Sequence, residues 1–107
     1  MPIPLLECVV NNGDGTYTAH FGYLNATHRV IVVPIGPWNT FVGRPWYRGQ
    51  PIVFYPGEHL SVFTVVFNAA DTLKWKLKAL GGHEHLVEAS ATSESCGTTT
   101  LGPTEGP

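Results

Sequence analysis

The stretch LSVFTVVF (residues 60–67) decides the fold class. It is rich in β-branched and aromatic residues and contains neither glycine nor proline, which is typical of a β-strand. A second stretch, LKWKLK (residues 73–78), alternates apolar side chains with lysines at the two-residue period of a strand buried on one face. Residues 68–72, between the two stretches, are mostly small or polar. We therefore predict two strands joined by a turn.

Turn-forming residues divide the rest of the chain into further short strands. Asn-Gly and Asp-Gly dipeptides occur within residues 11–15, and such dipeptides commonly close β-hairpins. The other predicted strands are residues 6–10, 16–24, 29–33, 52–55 and 85–91. About seven short strands separated by turn signals predict an all-β fold, an antiparallel β-sandwich of immunoglobulin-like architecture.

The composition bounds the function classes. The chain has 107 residues, enough for one domain, and 43% of them are hydrophobic, enough for one compact core. The net charge is −2, so no basic surplus is present to neutralise phosphates and we expect no nucleic-acid partner. No apolar run approaches the roughly 18 residues of a membrane-spanning helix, so we expect no membrane span.

The distribution of proline, glycine and apolar residues predicts three segments. These are an extended N-terminal arm (residues 1–6), the β-sandwich domain (residues 7–96) and a Thr/Gly/Pro-rich C-terminal tail (residues 97–107) that cannot bury enough surface to fold alone. The first four residues lack the basic start and the long apolar stretch of a signal peptide. Either a leader has been removed, or the sequence is part of a longer chain.

The arm is apolar, which is unusual for a free terminus. Prolines favour an extended conformation here and remove backbone donors, while the neighbouring aliphatic side chains would expose an apolar patch in water. One alternative is that the arm folds back on its own sheet. The other is that it lies along an open edge of the next copy, a head-to-tail contact that builds a filament. The residues predicted to make this assembly contact are Ile3, Pro4, Leu5 and Leu6.

The chain has two cysteines, Cys8 and Cys96, one near each end. This placement predicts a disulfide between the first and last strands, and the alternative is two unrelated buried thiols. A disulfide indicates an oxidising compartment, so we expect an extracellular or cell-surface protein.

Residues 34–51 form a predicted long loop that is rich in proline, glycine and aromatic rings. Exposed rings stack on sugar faces in carbohydrate-binding modules, with nearby polar side chains fixing the ligand. Alternatively, the rings cover one open end of the sandwich, and Arg48 and Gln50 bond loop carbonyls, which is the interpretation that we favour for Phe41. The candidate rings are Trp38, Phe41, Trp46, Tyr47 and Tyr55, and the candidate polar groups are Asn39, Arg44, Arg48 and Gln50.

Two places are candidate glycosylation sites. Asn25 begins the sequon Asn-Ala-Thr on a predicted turn. Thr98, Thr99 and Thr100 lie in the tail, whose composition suits O-glycosylation but equally suits a plain solvated linker.

Catalytic and metal-binding patterns are missing from the sequence. No Gly-x-Ser-x-Gly motif is present, and the carboxylates fall mostly on predicted turns or outward strand positions. His83 and His85 would project from one face of a strand, but no cysteine or carboxylate cluster completes a metal site. We expect no enzymatic activity, no cofactor and no metal.

Several motifs resemble a secreted β-sandwich domain family of environmental bacteria, and the resemblance covers roughly residues 8–96. The motifs are NGDGTYTAHFGYLN (12–25), IGPWNTF (35–41), RGQP (48–51), FYPGEH (54–59), VFTVVF (62–67) and LKWKL (73–77). The sequence departs from the family at residues 43–47, where Trp46 and Tyr47 replace more polar residues. Single-domain proteins similar to this family build extracellular helical fibrils. The resemblance implies a structural subunit and a paired Cys8 and Cys96.

The arm, the cysteines, the tail and the resemblance together predict a function. We expect a structural subunit of an extracellular fibril or surface polymer, which assembles with copies of itself head-to-tail through arm or strand contacts and is a candidate for glycosylation. The alternative is a carbohydrate-binding or adhesion module of a secreted protein that uses the loop aromatics.

Overall fold

The computed structural model describes residues 1–79 and 82–96. Within these residues the chain forms strands and no helix, so none of them provides a helix long and apolar enough to cross a membrane. The strands are β1 (Ile3–Asn11), β2 (Thr16–Asn25), β3 (Ile31–Val32), β4 (Asn39–Phe41), β5 (Val53–Phe54), β6 (Gly57–Asn68), β7 (Leu73–Lys78) and β8 (Glu84–Ala89).

All strand pairs are antiparallel, and the strands form two layers with a short ribbon. One sheet has the order β1-β2-β6, the other has the order β4-β7-β8, and β3 pairs with β5. In an immunoglobulin-like sandwich the first, second and fifth strands share one sheet, and the third, sixth and seventh share the other. With β3 and β5 set aside as the short ribbon, β1-β2-β6 corresponds to the first, second and fifth strands and β4-β7-β8 to the third, sixth and seventh, and no described strand takes the fourth position beside β6. The predicted fold class is confirmed.

The core lies between the two sheets and is centred on Trp75 of β7. Trp75, Phe21 and Phe41 are almost completely buried, and the ring of Phe21 meets the rings of Trp75 and Phe41 edge to face at 5.9 and 5.7 Å between centroids. Such offset geometries suit the aromatic quadrupole and add to the burial of apolar area. The alternation of β7 places Leu73, Trp75 and Leu77 inward, as predicted from the lysine pattern.

The hairpin between β1 and β2 forms where the sequence predicts it. Gly13 and Gly15 have φ of 85° and 90°, a region that favours glycine. The Asp14 carboxylate accepts hydrogen bonds from the hydroxyl and the backbone amide of Thr16, at 2.6 and 3.1 Å. These contacts fix the turn and hence the pairing of β1 with β2.

The N-terminal segment corrects the predicted domain boundary. Residues 1–6 are not a separate arm, because β1 begins at Ile3 and its first half pairs with β2, from Ile3 opposite Leu24 to Leu6 opposite Phe21. Pro2 and Pro4 are buried. Proline is tolerated here because β1 is an edge strand of its sheet, where a missing N–H does not have to interrupt a ladder. The segment therefore folds back on its own sheet.

Strand boundaries differ from the prediction at β3, β4 and β6 as well. The predicted strand 29–33 shortens to β3 (Ile31–Val32), and the predicted loop 34–51 contains β4 (Asn39–Phe41), which pairs with β7. β6 begins at Gly57 rather than at residue 60. Near that end of β6, Gly22 of β2 lies so close to the β6 backbone that a Cβ atom at position 22 would overlap the carbonyl oxygen of His59. The ladder of β2 and β6 shifts register at this point.

Cys8 and Cys96 form the predicted disulfide, with Cα atoms 4.9 Å apart. Two backbone hydrogen bonds accompany the disulfide. The amide of Val9 donates to the carbonyl of Glu94 at 2.8 Å, and the amide of Cys96 donates to the carbonyl of Val9 at 2.9 Å. The disulfide ties the end of the domain to β1 across 88 positions of sequence. Chain-entropy models assign a loop of this length roughly 4–5 kcal/mol of stabilisation. The pair is compatible with an oxidising environment.

Candidate functional site

The loop between β3 and β5 carries most of the candidate residues, and a buried amide holds its two ends together. Asn39 is fully buried, and its amide nitrogen donates to the carbonyls of Val33 at 3.0 Å and Pro51 at 2.8 Å. Its amide oxygen accepts a hydrogen bond from the indole nitrogen of Trp75 at 3.0 Å. One side chain thus joins both ends of the loop to the centre of the core.

A second buried amide shapes the outer part of the loop. Gln50 accepts a hydrogen bond from the amide of Arg48 at 2.7 Å and donates one to the carbonyl of Trp46 at 2.9 Å. Gly49 lies between Arg48 and Gln50 in the sequence, and its φ of 95° allows the tight turn. Asn39 and Gln50 are therefore occupied by internal hydrogen bonds. Their predicted role as polar contacts for a sugar is wrong.

Arg48 and Phe41 support the loop from inside. The ring of Phe41 is buried, and the guanidinium of Arg48 lies over it at 5.7 Å from the ring centroid. One terminal nitrogen of Arg48 donates to the carbonyl of Arg44 at 3.0 Å. Nε of Arg48 is buried and has no hydrogen-bond partner among the residues that the structure describes. The interpretation in which Arg48 and Gln50 bond loop carbonyls and Phe41 joins the core is confirmed.

The other predicted rings face solvent. Trp46 and Tyr47 are each 59% exposed, Tyr55 is 55% exposed and Trp38 is 37% exposed. The guanidinium of Arg44 lies 5.3 Å from the ring centroid of Trp46, and this cation–π contact orients both groups. Trp38 has a comparable contact with the ammonium group of Lys78 at 5.8 Å.

Three shallow hollows lie next to one another on the surface of the loop, and neighbouring hollows have a lining residue in common. Arg44, Pro45 and Trp46 line a hollow of about 480 Å³. A neighbouring hollow of about 250 Å³ also has Trp46 in its wall, together with Ile35, and a third of about 630 Å³ lies between Ile35 and Tyr47. The loop therefore presents a continuous surface in which Trp46 separates two hollows.

The loop itself carries positive charge only. No aspartate or glutamate occurs between Asp14 and Glu58, whereas this stretch contains Arg29, Arg44 and Arg48. Asp71, on the turn between β6 and β7, joins Arg44 and Arg48 in the lining of a polar hollow of about 360 Å³. Arg44 is therefore the positive group beside Trp46, and Asp71 is an acidic side chain that shares the polar hollow with it.

The sequon asparagine is not available for modification in the folded chain, which corrects the prediction for Asn25. Asn25 is fully buried, and its amide nitrogen donates to the carbonyls of Arg29 at 2.8 Å and Phe54 at 3.0 Å. Its amide oxygen accepts hydrogen bonds from the amide and hydroxyl of Thr27. The pattern Asn-x-Thr here forms an Asx turn, a signal that the sequence already contained.

The remaining predicted sites lie elsewhere. Thr98, Thr99 and Thr100 lie outside the described residues. Ile3, Pro4, Leu5 and Leu6 belong to β1 and are far in sequence from the loop. Among residues 1–79 and 82–96, no group of three histidine, cysteine or acidic side chains could hold a metal ion.

The surface combines exposed rings that can stack on a ligand, the guanidinium of Arg44 that can bind an anion, and a backbone fixed by buried amides. Sequence reasoning identified the rings and the loop contacts of Arg48 and Gln50 but missed Asn39 as an anchor, because the partners of an amide depend on the tertiary fold. Compared with known proteins, the chain matches no family model, no curated protein and no solved structure.

Proposed function

We propose that this protein is a structural subunit that assembles with copies of itself into an extracellular fibril or surface polymer. The observation that carries the proposal is the long open edge of β6. β6 (Gly57–Asn68) pairs with β2 on one side, and no described strand pairs with its other side. An unpaired edge presents backbone donors and acceptors to any extended segment that approaches it.

The side chains of β6 leave this edge open to pairing. Leu60, Val62 and Val66 are 54%, 38% and 60% exposed. Residues 60–68 contain no charged residue and no proline. Soluble proteins commonly protect sheet edges with lysine, proline, bulges or very short strands. In β6 the register shift lies before Phe63, so residues 63–68 form a regular ladder with β2. At the end of this ladder, residues 66–68 share a hollow with Arg44 and Arg48 of the loop.

Along residues 63–68 the ladder positions next to this edge carry uncharged side chains, and the Glu7 carboxylate of β1 reaches β6, where it accepts hydrogen bonds from the backbone amide and the hydroxyl of Ser61. In the ladder of β2 and β6, Val66 lies opposite Thr18 and Thr64 lies opposite His20. In the ladder of β1 and β2, Val10 lies opposite Thr18, so Thr18 lies between two valines across the sheet. A second copy that extends the sheet at β6 would extend this face as well and bury its valines.

The first half of β1 supplies the second contact surface. Ile3, Leu5 and Leu6 are half-buried in their own sheet, and β1 is the opposite edge of the same three-stranded sheet. Contact between the β6 edge of one copy and the β1 edge of the next is heterologous, and a heterologous contact that does not close generates a filament. The Cys8–Cys96 disulfide, next to this edge, favours an oxidising, extracellular setting.

The proposal is tested by charging the β6 edge. We expect Val62→Lys/Val66→Lys to abolish assembly, because buried lysines at a strand–strand contact lose hydration without gaining a partner. The matched control is Leu86→Lys, which replaces a 42% exposed leucine on β8, in the other sheet. Electron microscopy and sedimentation velocity provide the readout, and thermal unfolding checks that each variant folds.

Assemblies that persist unchanged in the doubly charged variant would contradict the β6 contact. Assemblies lost equally in the Leu86→Lys control would show a general effect of charge and would also contradict it.

A further inference from the structure

We propose that the loop surface around Trp46 and Arg44 binds an acidic polysaccharide, with its uronic acid carboxylates as the recognised groups. This inference goes beyond the structural role proposed above and does not depend on it. It rests on three observations: exposed rings, a pre-formed frame beneath them and a local excess of arginine.

The rings are placed where a sugar chain could stack. Trp46 and Tyr47 are each 59% exposed. Aromatic side chains contribute most to stability or binding when they are covered, so exposed rings indicate a contact surface. Trp46 forms a wall of two neighbouring hollows of about 480 and 250 Å³. Successive units of a polymer would occupy the hollows on the two sides of the indole. The apolar C–H face of a pyranose ring would lie against it.

The frame beneath the rings is fixed before a ligand arrives. Gln50 holds the carbonyl of Trp46, and Asn39 holds both ends of the loop, through buried hydrogen bonds. The guanidinium of Arg48 donates a hydrogen bond to the carbonyl of Arg44 at 3.0 Å. A pre-organised surface loses little conformational entropy on binding, so even a shallow site gains affinity.

The charge selects the class of ligand. Arg44 lines the same hollow as Trp46, and its guanidinium, 5.3 Å from the indole centroid, is next to any sugar stacked there. A guanidinium recognises a carboxylate through paired hydrogen bonds. Arg44 lines both this hollow and the polar hollow that contains Asp71, and the described residues that line the hollow beside the indole include no acidic side chain. A uronic acid carboxylate therefore fits beside Trp46.

The same charges argue against a second copy as the occupant. Two loops meeting across a two-fold axis would bring Arg44 toward the arginines of the other copy, with no aspartate or glutamate from residues 15–57 to compensate. A polyanion supplies the negative charge that residues 15–57 lack.

The test measures binding of the purified protein to polygalacturonate and alginate, with dextran as the neutral polymer, by calorimetry and affinity electrophoresis. We expect binding to both acidic polymers and not to dextran. Trp46→Ala should weaken it about tenfold, as expected for a central aromatic contact. Arg44→Gln should weaken binding several-fold and reduce its salt dependence, because one ion pair is removed.

Two matched controls separate this site from general effects. Tyr55→Ala removes a ring of similar exposure that is not among the residues lining the three loop hollows, and Arg29→Gln removes an exposed charge outside those hollows. Both should bind like the parent protein. Failure of the parent protein to bind either acidic polymer would overturn the proposal. Equal binding to dextran would overturn it too, as would equal losses in the controls. Loss of assembly in Trp46→Ala, with binding unchanged, would assign the loop to a copy–copy contact instead.

Discussion

At the scale of single residues, three buried amides organise the connections that lie outside the two main sheets. Asn39 joins the loop ends to Trp75, Gln50 shapes the loop turn, and Asn25 joins the end of β2 to the carbonyls of Arg29 and Phe54. Buried polar groups are tolerated only when their hydrogen bonds are made. The three amides therefore fix loop positions that apolar packing alone would leave undetermined.

The buried amide of Asn39 gives the first prediction at this scale. Asn39→Ala leaves the indole nitrogen of Trp75 and the carbonyls of Val33 and Pro51 without this partner, so we expect the free energy of unfolding to fall by about 3 kcal/mol or more. Urea denaturation measures the change. The control is Asn12→Ala, whose amide makes only exposed contacts with Thr16 and Thr18 and should cost less than about 1 kcal/mol. Equal losses in the two variants would contradict the anchoring role.

The carboxylate of Asp14 gives a pH-dependent prediction. Hydrogen bonds from the hydroxyl of Thr16, and secondarily from its backbone amide, lower the pKa of Asp14 below its ordinary value. Because the pKa is lower in the folded than in the unfolded state, this carboxylate stabilises the fold above its unfolded-state pKa. The contribution is lost as pH falls through the folded-state pKa.

We expect an NMR titration to show that Asp14 protonates at a lower pH in the parent protein than in Thr16→Val, which lacks the hydroxyl. An unchanged midpoint in Thr16→Val would show that the hydroxyl is not the main cause of the lowered pKa.

At the scale of elements, β1 differs most from its sequence-based prediction, and this gives a direct test. Deletion of residues 1–6 removes buried Pro2 and Pro4, the paired half of β1 and the contact of Leu6 with the core. We expect a loss of more than about 3 kcal/mol in unfolding free energy, or failure to fold, because the core is opened at one edge. Thermal unfolding followed by circular dichroism measures it. An unchanged melting temperature would instead indicate a free arm.

The elements that could be predicted are those with an uninterrupted side-chain period. β7 alternates apolar residues and lysines, and the buried residues Ala19, Phe21 and Tyr23 of β2 lie on the face that alternation indicates. The first half of β1 was missed because two prolines conceal its strand character, and β4 was missed because it has only three residues between glycine- and proline-rich segments. In both cases, pairing with β2 or β7 decides the conformation.

The candidate site was predictable in part for a related reason. Aromatic density in residues 34–51 indicates a surface of interest, and Trp46 and Tyr47 are indeed exposed. The sequence does not reveal that Asn39, Gln50 and Asn25 are buried, because a short polar side chain can equally face solvent or bond a distant carbonyl. That choice depends on contacts between residues far apart in the chain.

At the scale of the whole molecule, the two edge strands of the three-stranded sheet, β1 and β6, differ in what lies beside them. The Cys8–Cys96 disulfide and the bridge between Val9 and Ser95 cover part of the β1 edge. The β6 edge has no described strand beside it and presents Leu60, Val62 and Val66. We place copy–copy contact at this sheet and polysaccharide binding at the loop, so a fibril of such subunits would carry regularly spaced sugar sites.

Sedimentation velocity of the oxidised, purified protein over a wide concentration range, with electron microscopy of the same samples, tests the proposed assembly most directly. We expect large species that grow with concentration and appear as filaments in the parent protein and in Leu86→Lys, and a single species near 11.6 kDa in Val62→Lys/Val66→Lys. A parent protein that remains a monomer at every concentration, with the disulfide intact, would contradict the proposal that this molecule is a structural subunit.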